Sequence, residues 1–465
     1  MSHLTSLLAE GGIPTNILQI PWGDIMESVG LPQDKFLLEL ITIPIFSAIA
    51  GLLTNWTGVL MLFAPARFTG FYTPGVKTLF NFLPRKVQVL PIFAPGGILG
   101  FQGFIPARAE KMAAIVVDKA VYKIATINDI FQEMDPDAIA EHVAEFAKKD
   151  IRGMTAQIME RDHAELWASL TPQVREVVFQ RVEAELPGIV KTAFKKVGDN
   201  VDQLVDIKLL AVGYLRANPD VLKDLIYGVA RPELKFMVKI GLLGFPFGAV
   251  LAVWLHFYHH IPLIGAIPGW LMVLTGAALI GIVVNIFAIR IVFTPGEPQP
   301  RYKYLWKQAL LAKRQPSAAA DLGHAFAYQV LTLPLIANEI LNGPRGDKTR
   351  GLLDNIVSTE VDRILGPLKQ VVRVAVGGGE FDAIRMDTAG AALEFAPQFL
   401  EDEEFAKVQA AKIDKFATEK LRALPPGEFM EMIYSAIEQD AWLLYLHGGL
   451  LGIVVGAVHI LIFGA

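Results

Sequence analysis

Four stretches of this chain, residues 40–64, 240–258, 270–289 and 442–463, contain no Asp, Glu, Lys or Arg. Nothing else in the sequence constrains the fold as tightly. About 20 apolar residues at 1.5 Å rise cross a hydrocarbon core of about 30 Å. In 270–289, 11 of 20 residues are Leu, Ile, Val or Phe. At roughly 0.3–0.6 kcal/mol each, that favours insertion by about 3–7 kcal/mol. Soluble helices of this length normally carry a charged face, so burial inside a large soluble core is the weaker explanation. The rest of the chain is polar enough to fold in water. The whole is 53% hydrophobic and 19% charged, against about 25% charged for an average soluble domain. A small soluble enzyme is therefore disfavoured. With no cysteine, disulfides, thiolate metal sites and thiol nucleophiles are excluded. A net charge of −5 gives no electrostatic case for nucleic acid.

Lys and Arg near the span ends set orientation. They cluster after the first span, before the second and after the third, while 258–269 has none. Residues 65–239 and 290–441 are thus expected to be cytoplasmic, with both termini outside. The first 35 residues lack a basic leader and do not read as a signal peptide. Segments 4–8, 17–22 and 25–26 read as short amphipathic pieces on the outer surface.

The chain also reads as a tandem duplication. Gly51, Asn55, Phe63 and Pro65 match Gly281, Asn285, Phe293 and Pro295 at an offset of 230. Arg108 with Ala113 and Ala114 matches Arg314 with Ala319 and Ala320 at 206. Gly241-Leu-Leu-Gly244 and Gly248 match Gly449-Leu-Leu-Gly452 and Gly456 at 208. Each unit, 36–258 and 264–463, then reads as span, cytoplasmic helical domain, span. Both enter the membrane in the same direction, as parallel repeats about an axis along the membrane normal. The fold class expected is all-α, a polytopic membrane protein. Its parts are an outer-face segment (1–35), spans at 36–64, 236–258, 264–293 and 441–463, and helical domains at 106–235 and 294–440. Residues 65–105 are rich in Pro and Gly yet largely apolar. They suit a loop that lies on the membrane surface or re-enters it.

Two motifs resemble a known family. Gly51-Leu-Leu-Thr-Asn55-Trp, running on to Met61-Leu-Phe63-Ala-Pro65, and Gln102-Gly-Phe-Ile-Pro106-Ala-Arg108 are similar to signatures of the bacterial membrane proteins catalogued as domain of unknown function 445. The second repeat departs from the second motif, because Ala312-Lys313-Arg314-Gln315 lacks the preceding Gly and Pro. The resemblance implies a multi-pass topology in the bacterial inner membrane and no particular activity.

The candidate site residues are polar or small positions on this frame. Asn55 and Asn285 form an intramembrane pair, read either as hydrogen-bonding glue between helices or as a polar constriction. Gly244, Gly248, Gly448, Gly452 and Gly456 are small-residue helix faces, suited to packing within the chain or between copies in a homo-oligomer. Arg85, Lys86, Arg108, Lys111, Arg290, Arg301, Lys303, Lys307, Lys313 and Arg314 form a juxtamembrane collar. Read functionally, it holds lipid or another anion at about 1 kcal/mol per residue. Read blandly, it is only the topology signal. His256, His259 and His260 cluster at one span end without a third ligand type nearby, so no metal is expected. Gly343-Pro-Arg-Gly346-Asp-Lys348-Thr349 lacks the Gly-Lys adjacency of a phosphate loop. No hydrolase, zinc-protease or dinucleotide motif occurs, so no catalytic residue and no cofactor is expected. The leading expectation is a non-enzymatic protein that organises or handles lipid at the membrane surface, with membrane lipids as partners and no nucleic acid. The alternative is a small-solute transporter or channel between the repeats.

Overall fold

The computed structural model describes residues 28, 30, 34–72, 93–94, 98–116, 118, 125–300, 306–366, 369–395, 398, 400, 402–438 and 440–463. The amphipathic pieces expected before residue 28 lie outside them, as do Arg85, Lys86, Arg301 and Lys303. The described chain is almost wholly helical. Its longer helices, in chain order, are α1 (Lys35–Phe63), α2 (Pro136–Asp162), α3 (Pro172–Asp199), α4 (Pro219–Ile240), α5 (Gly244–Phe257), α6 (Gly269–Phe293), α7 (Gly346–Leu365), α8 (Gly378–Phe395), α9 (Glu403–Ala423), α10 (Pro426–Glu438) and α11 (Ala441–Phe463).

Four helical stretches are long and apolar enough to cross a membrane: Lys35–Phe63, Pro219–His260, Gly269–Phe293 and Ala441–Phe463. They coincide with the four uncharged stretches of the sequence. The second is longer than expected because α4 runs straight into α5 through a 3₁₀ turn at Gly241–Leu243. Asp34 caps α1 by accepting the Leu37 N–H at 3.0 Å. Pro44 sits inside α1, where a neighbouring helix rather than water must accommodate it.

One small sheet interrupts the helices. Strands β1 (Thr69–Tyr72), β2 (Phe93–Ala94) and β3 (Ile98–Phe101) pair antiparallel in the order β1-β3-β2. The sequence reading finds no strand here, because Gly70 and Gly100 break the alternation that announces one. The two glycines face each other across the ladder, where a side chain on either would strike the opposite backbone.

By packing, the chain divides into two compact units. The span unit gathers Met1–Met112, Pro219–Ala318 and Leu424–Ala465. The helical unit gathers Ala113–Asn218 and Ala319–Ala423. The bulk of the two regions read from sequence as separate helical domains thus packs as one body. The physical reason shows in the packing of α3, which lies against α2 of its own half and also against α7 of the other half.

Candidate functional site

In the span unit, the small and polar residues singled out from sequence are spent on contacts within the chain. A methyl group at Gly51 would collide with the Gly241 carbonyl, and one at Gly281 with the Gly448 carbonyl. Likewise Gly244 meets the Ser47 carbonyl and Gly452 the Ala277 carbonyl. Gly248 lies against Pro44 and Ser47, and Gly456 against Leu274 and Ala277. All five small-residue positions therefore bring helix backbones of one chain together. Asn55 and Asn285 are each 5% exposed. Asn55 Nδ2 donates to the Met237 carbonyl at 2.5 Å, and Asn285 Nδ2 to the Leu444 carbonyl at 2.5 Å. An amide in hydrocarbon must find such an acceptor.

These contacts expose a one-residue difference that sequence alignment hides. From Gly241 to Gly244 is three residues, whereas from Gly448 to Gly452 is four, yet both pairs touch the corresponding places on α1 and α6. The 3₁₀ turn Gly241–Leu243 absorbs the difference, because residues three apart eclipse in a 3₁₀ helix.

Two members of the expected collar are turned inward. Arg108 closes the short helix Phe104–Ala107, and Arg314 closes Leu310–Lys313. Arg314 Nε and Nη2 reach Glu233 Oε1 and Oε2 at 2.8 and 2.9 Å, and Nη2 also donates to the Val229 carbonyl at 2.5 Å. Arg108 Nη1 pairs with Asp440 Oδ1. Glu233 and Asp440 are each only 4% exposed. Burial lowers the Arg108 guanidinium from its ordinary value, though a guanidinium stays charged. The pairs are exchanged along the chain: the arginine of the first half meets an acid of the second, and the reverse. Nothing in the sequence distinguishes Glu233 or Asp440 from other acids. Lys111, Arg290, Lys307 and Lys313 are exposed.

The largest chemical opportunity lies in the helical unit. A partly open apolar hollow of about 420 Å³ is lined by α2, α3, α7, α8 and the short helix Leu333–Asn342. On α2 the lining runs Ile139, Val143, Ala147, Ile151, Met154 and Ile158, a single stripe at three- and four-residue spacing. α3 adds a second such stripe, including Val182, Leu186, Ile189 and Ala193. The hydroxyls of Thr155, Thr349 and Thr388 line it too, but each is already bound to a backbone carbonyl, of Ile151, Ile340 and Ile384, at 2.6–2.7 Å. The one charged group in the lining is Glu360, whose Oε2 accepts from Arg363 Nε at 2.7 Å. Arg363 also reaches Glu185 at 3.1 Å, and these carboxylates hold its guanidinium above its ordinary pKa. Three polar contacts tie the walls: buried His163, beside the end of α2, lies between Glu380 and Asp387 of α8 at 2.8 and 3.2 Å, and Arg161 reaches Glu394 at 3.2 Å. Sequence reading takes these stripes as ordinary amphipathic helix faces. No signal in it distinguishes a filled core from a void.

No group of three or more His, Asp or Glu that would hold a metal occurs among the described residues. Comparison of the chain with family models, with curated proteins and with solved structures finds no match in any of the three.

Proposed function

We propose that this is a membrane-anchored lipid-handling protein, and that its helical unit takes a hydrocarbon chain into the cavity between α2, α3, α7 and α8. The observation that carries the reading is the cavity's size and chemistry together. About 420 Å³ falls within the ordinary range of small-molecule sites, about 300–1,000 Å³. Without a ligand its apolar walls face water rather than other apolar groups, at about 25 cal/mol per Å² of such surface. The hydroxyls in the lining are already satisfied by main-chain carbonyls and offer a water no partner. An acyl chain offers the lining what it lacks, and four membrane-spanning helices keep such chains close at hand.

The span unit is, in this reading, a pair of parallel repeats in the bacterial inner membrane, with the helical unit cytoplasmic. The matched asparagine contacts, the matched glycine collisions and the exchanged Arg–acid pairs support the repeat. The exposed Lys111, Arg290, Lys307 and Lys313 would hold the protein against anionic headgroups. A solute path between the repeats is the lesser reading, since the space among the spans amounts to about 30 Å³.

The test is to purify the full chain in mild detergent and identify what leaves it on solvent extraction. A lipid or fatty acid at near-equimolar ratio is expected. A variant that fills the cavity, Ala193→Phe with Ala337→Leu, should lose most of it while remaining folded. Equal lipid in the wild type and the filled variant would refute the reading.

A further inference from the structure

We propose that the lipid taken up by the helical unit has a head group that donates hydrogen bonds and bears no negative charge, and that this head rests on Glu360. The inference rests on the hydrocarbon-chain reading above and adds the polar end of the ligand. Four polar side chains line the hollow: Thr155, Thr349, Glu360 and Thr388. Each threonine spends its one hydroxyl proton on a main-chain carbonyl, of Ile151, Ile340 and Ile384. Each oxygen can then accept from a ligand but cannot donate to it. Glu360, ion-paired with Arg363, is a carboxylate and also only accepts. The side chains lining the hollow therefore offer acceptors and no strong donor.

Glu360 is the anchor among them. It is 8% exposed and carries the one charge in the lining. Its Oε2 accepts from Arg363 Nε at 2.7 Å, and among the described residues Oε1 accepts no hydrogen bond. Arg363 follows three residues later on α7 with its side chain 55% exposed, so the carboxylate lies toward the solvent end of this wall. Behind it Val357, Ile356 and Leu353 lead to Thr349, eleven residues and about 16 Å along the helix. That distance makes Thr349 a separate station. The head has one anchor, and the chain runs back along the apolar stripe.

An anionic head gains nothing at this anchor. It would meet the like charge of Glu360, and the cation beside it, Arg363, is already shared between Glu360 and Glu185. Glu185 is held by Arg181 as well, at 3.2 Å. Two carboxylates pressed together in an apolar site disfavour each other's charged form. A hydroxyl or an ammonium instead donates to Glu360 Oε1. The class of ligand is therefore a long-chain alcohol, a monoacylglycerol or a long-chain amine, and not a free fatty acid.

The test uses the full chain, purified in mild detergent and stripped of bound lipid. It is incubated with an equimolar mixture of hexadecanol, hexadecylamine, hexadecanoic acid and methyl hexadecanoate at about pH 8, where the acid is ionised and the amine protonated. Ligand retained through gel filtration is extracted and quantified. The filled variant, Ala193→Phe with Ala337→Leu, gives the amount carried by the micelle alone. Above that level, alcohol and amine should each exceed acid and ester by at least about tenfold. The ester is uncharged but has no donor, so it separates the need for a donor from simple repulsion. Glu360→Gln leaves Arg363 on Glu185 and supplies an amide donor, and should cut the preference at least about threefold. If no ligand exceeds the micelle level, the hollow takes no chain and the proposed function falls together with this inference. Acid or ester retained as well as alcohol, or an unchanged preference in folded Glu360→Gln, overturns the head-group assignment and leaves the chain reading standing. Should Glu360→Gln not fold, the wild-type series alone decides.

Discussion

Removing Arg314 should be among the most damaging single changes outside the spans. Its guanidinium engages both carboxylate oxygens of Glu233 and a main-chain carbonyl, and Glu233 is 4% exposed. Two unit charges about 4 Å apart interact with about 4 kcal/mol at an effective dielectric of about 20. Breaking a buried pair from one side costs about 3–5 kcal/mol, because the remaining charge is stranded. Arg314→Ala should therefore lower the unfolding temperature of the purified 465-residue chain by about 3–5 °C, at about 1 °C per kcal/mol. Glu233→Leu combined with Arg314→Met strands nothing and should recover most of the loss. Arg108→Ala strands the buried Asp440 in the same way and should fall in the same range. Scanning fluorimetry in detergent, with each single and the double variant, measures all of this. The losses should be the same at about 0.1 and 1 M salt, because buried pairs are little screened. A loss under about 1 kcal/mol for Arg314→Ala, or a double variant as poor as the sum of its singles, would refute the reasoning.

Three further outcomes are expected. Gly51→Ala and Gly281→Ala each drive a methyl into a carbonyl of the neighbouring helix. Each should cost about 1–3 kcal/mol or more, seen as a reduced monodisperse yield on size exclusion beside Gly188→Ala, where nothing lies within 4 Å. Asn55→Leu and Asn285→Leu should each lower stability by about 0.6–2 kcal/mol and by similar amounts, read as shifts in unfolding temperature. Asp402 and Asp129 both titrate below the ordinary Asp value. The Phe405 amide bond is the main cause for Asp402, and the Thr126 amide bond for Asp129. A depressed folded value means the contribution is present above about pH 4 and lost as pH falls through it. Circular dichroism on acidification should therefore show the helical unit weakening below about pH 4, less steeply in Asp402→Asn.

The spans were legible because a bilayer leaves so few sequences able to cross it. Absence of charge over 20 residues is nearly decisive, and the helices fall where that absence does. Asn55 and Asn285 were legible as positions but not as contacts. The register of α1 on α4 and of α6 on α11 shows each bonded to a carbonyl of the neighbouring helix. Arg108 and Arg314 read as outward-facing cations because their acids lie more than 80 residues away along the chain, where sequence carries no distance information. The strand Ile98–Phe101 was hidden by glycines needed for close backbone approach. The cavity was hidden because an apolar stripe looks the same whether protein or ligand fills the space beside it.

The helical unit draws on two segments separated by two helical stretches long and apolar enough to cross a membrane. When residue 218 has been synthesised, α2 and α3 exist but their partners α7 and α8 do not. At about 5–20 residues per second, the ribosome needs roughly 10–40 s more to reach residue 423. For that interval two apolar helix faces lack the partners that later cover them. Neither half of the gene should then yield a soluble product alone, whereas two half-length chains made in the same cell, split at the 261–268 link, should find one another and survive.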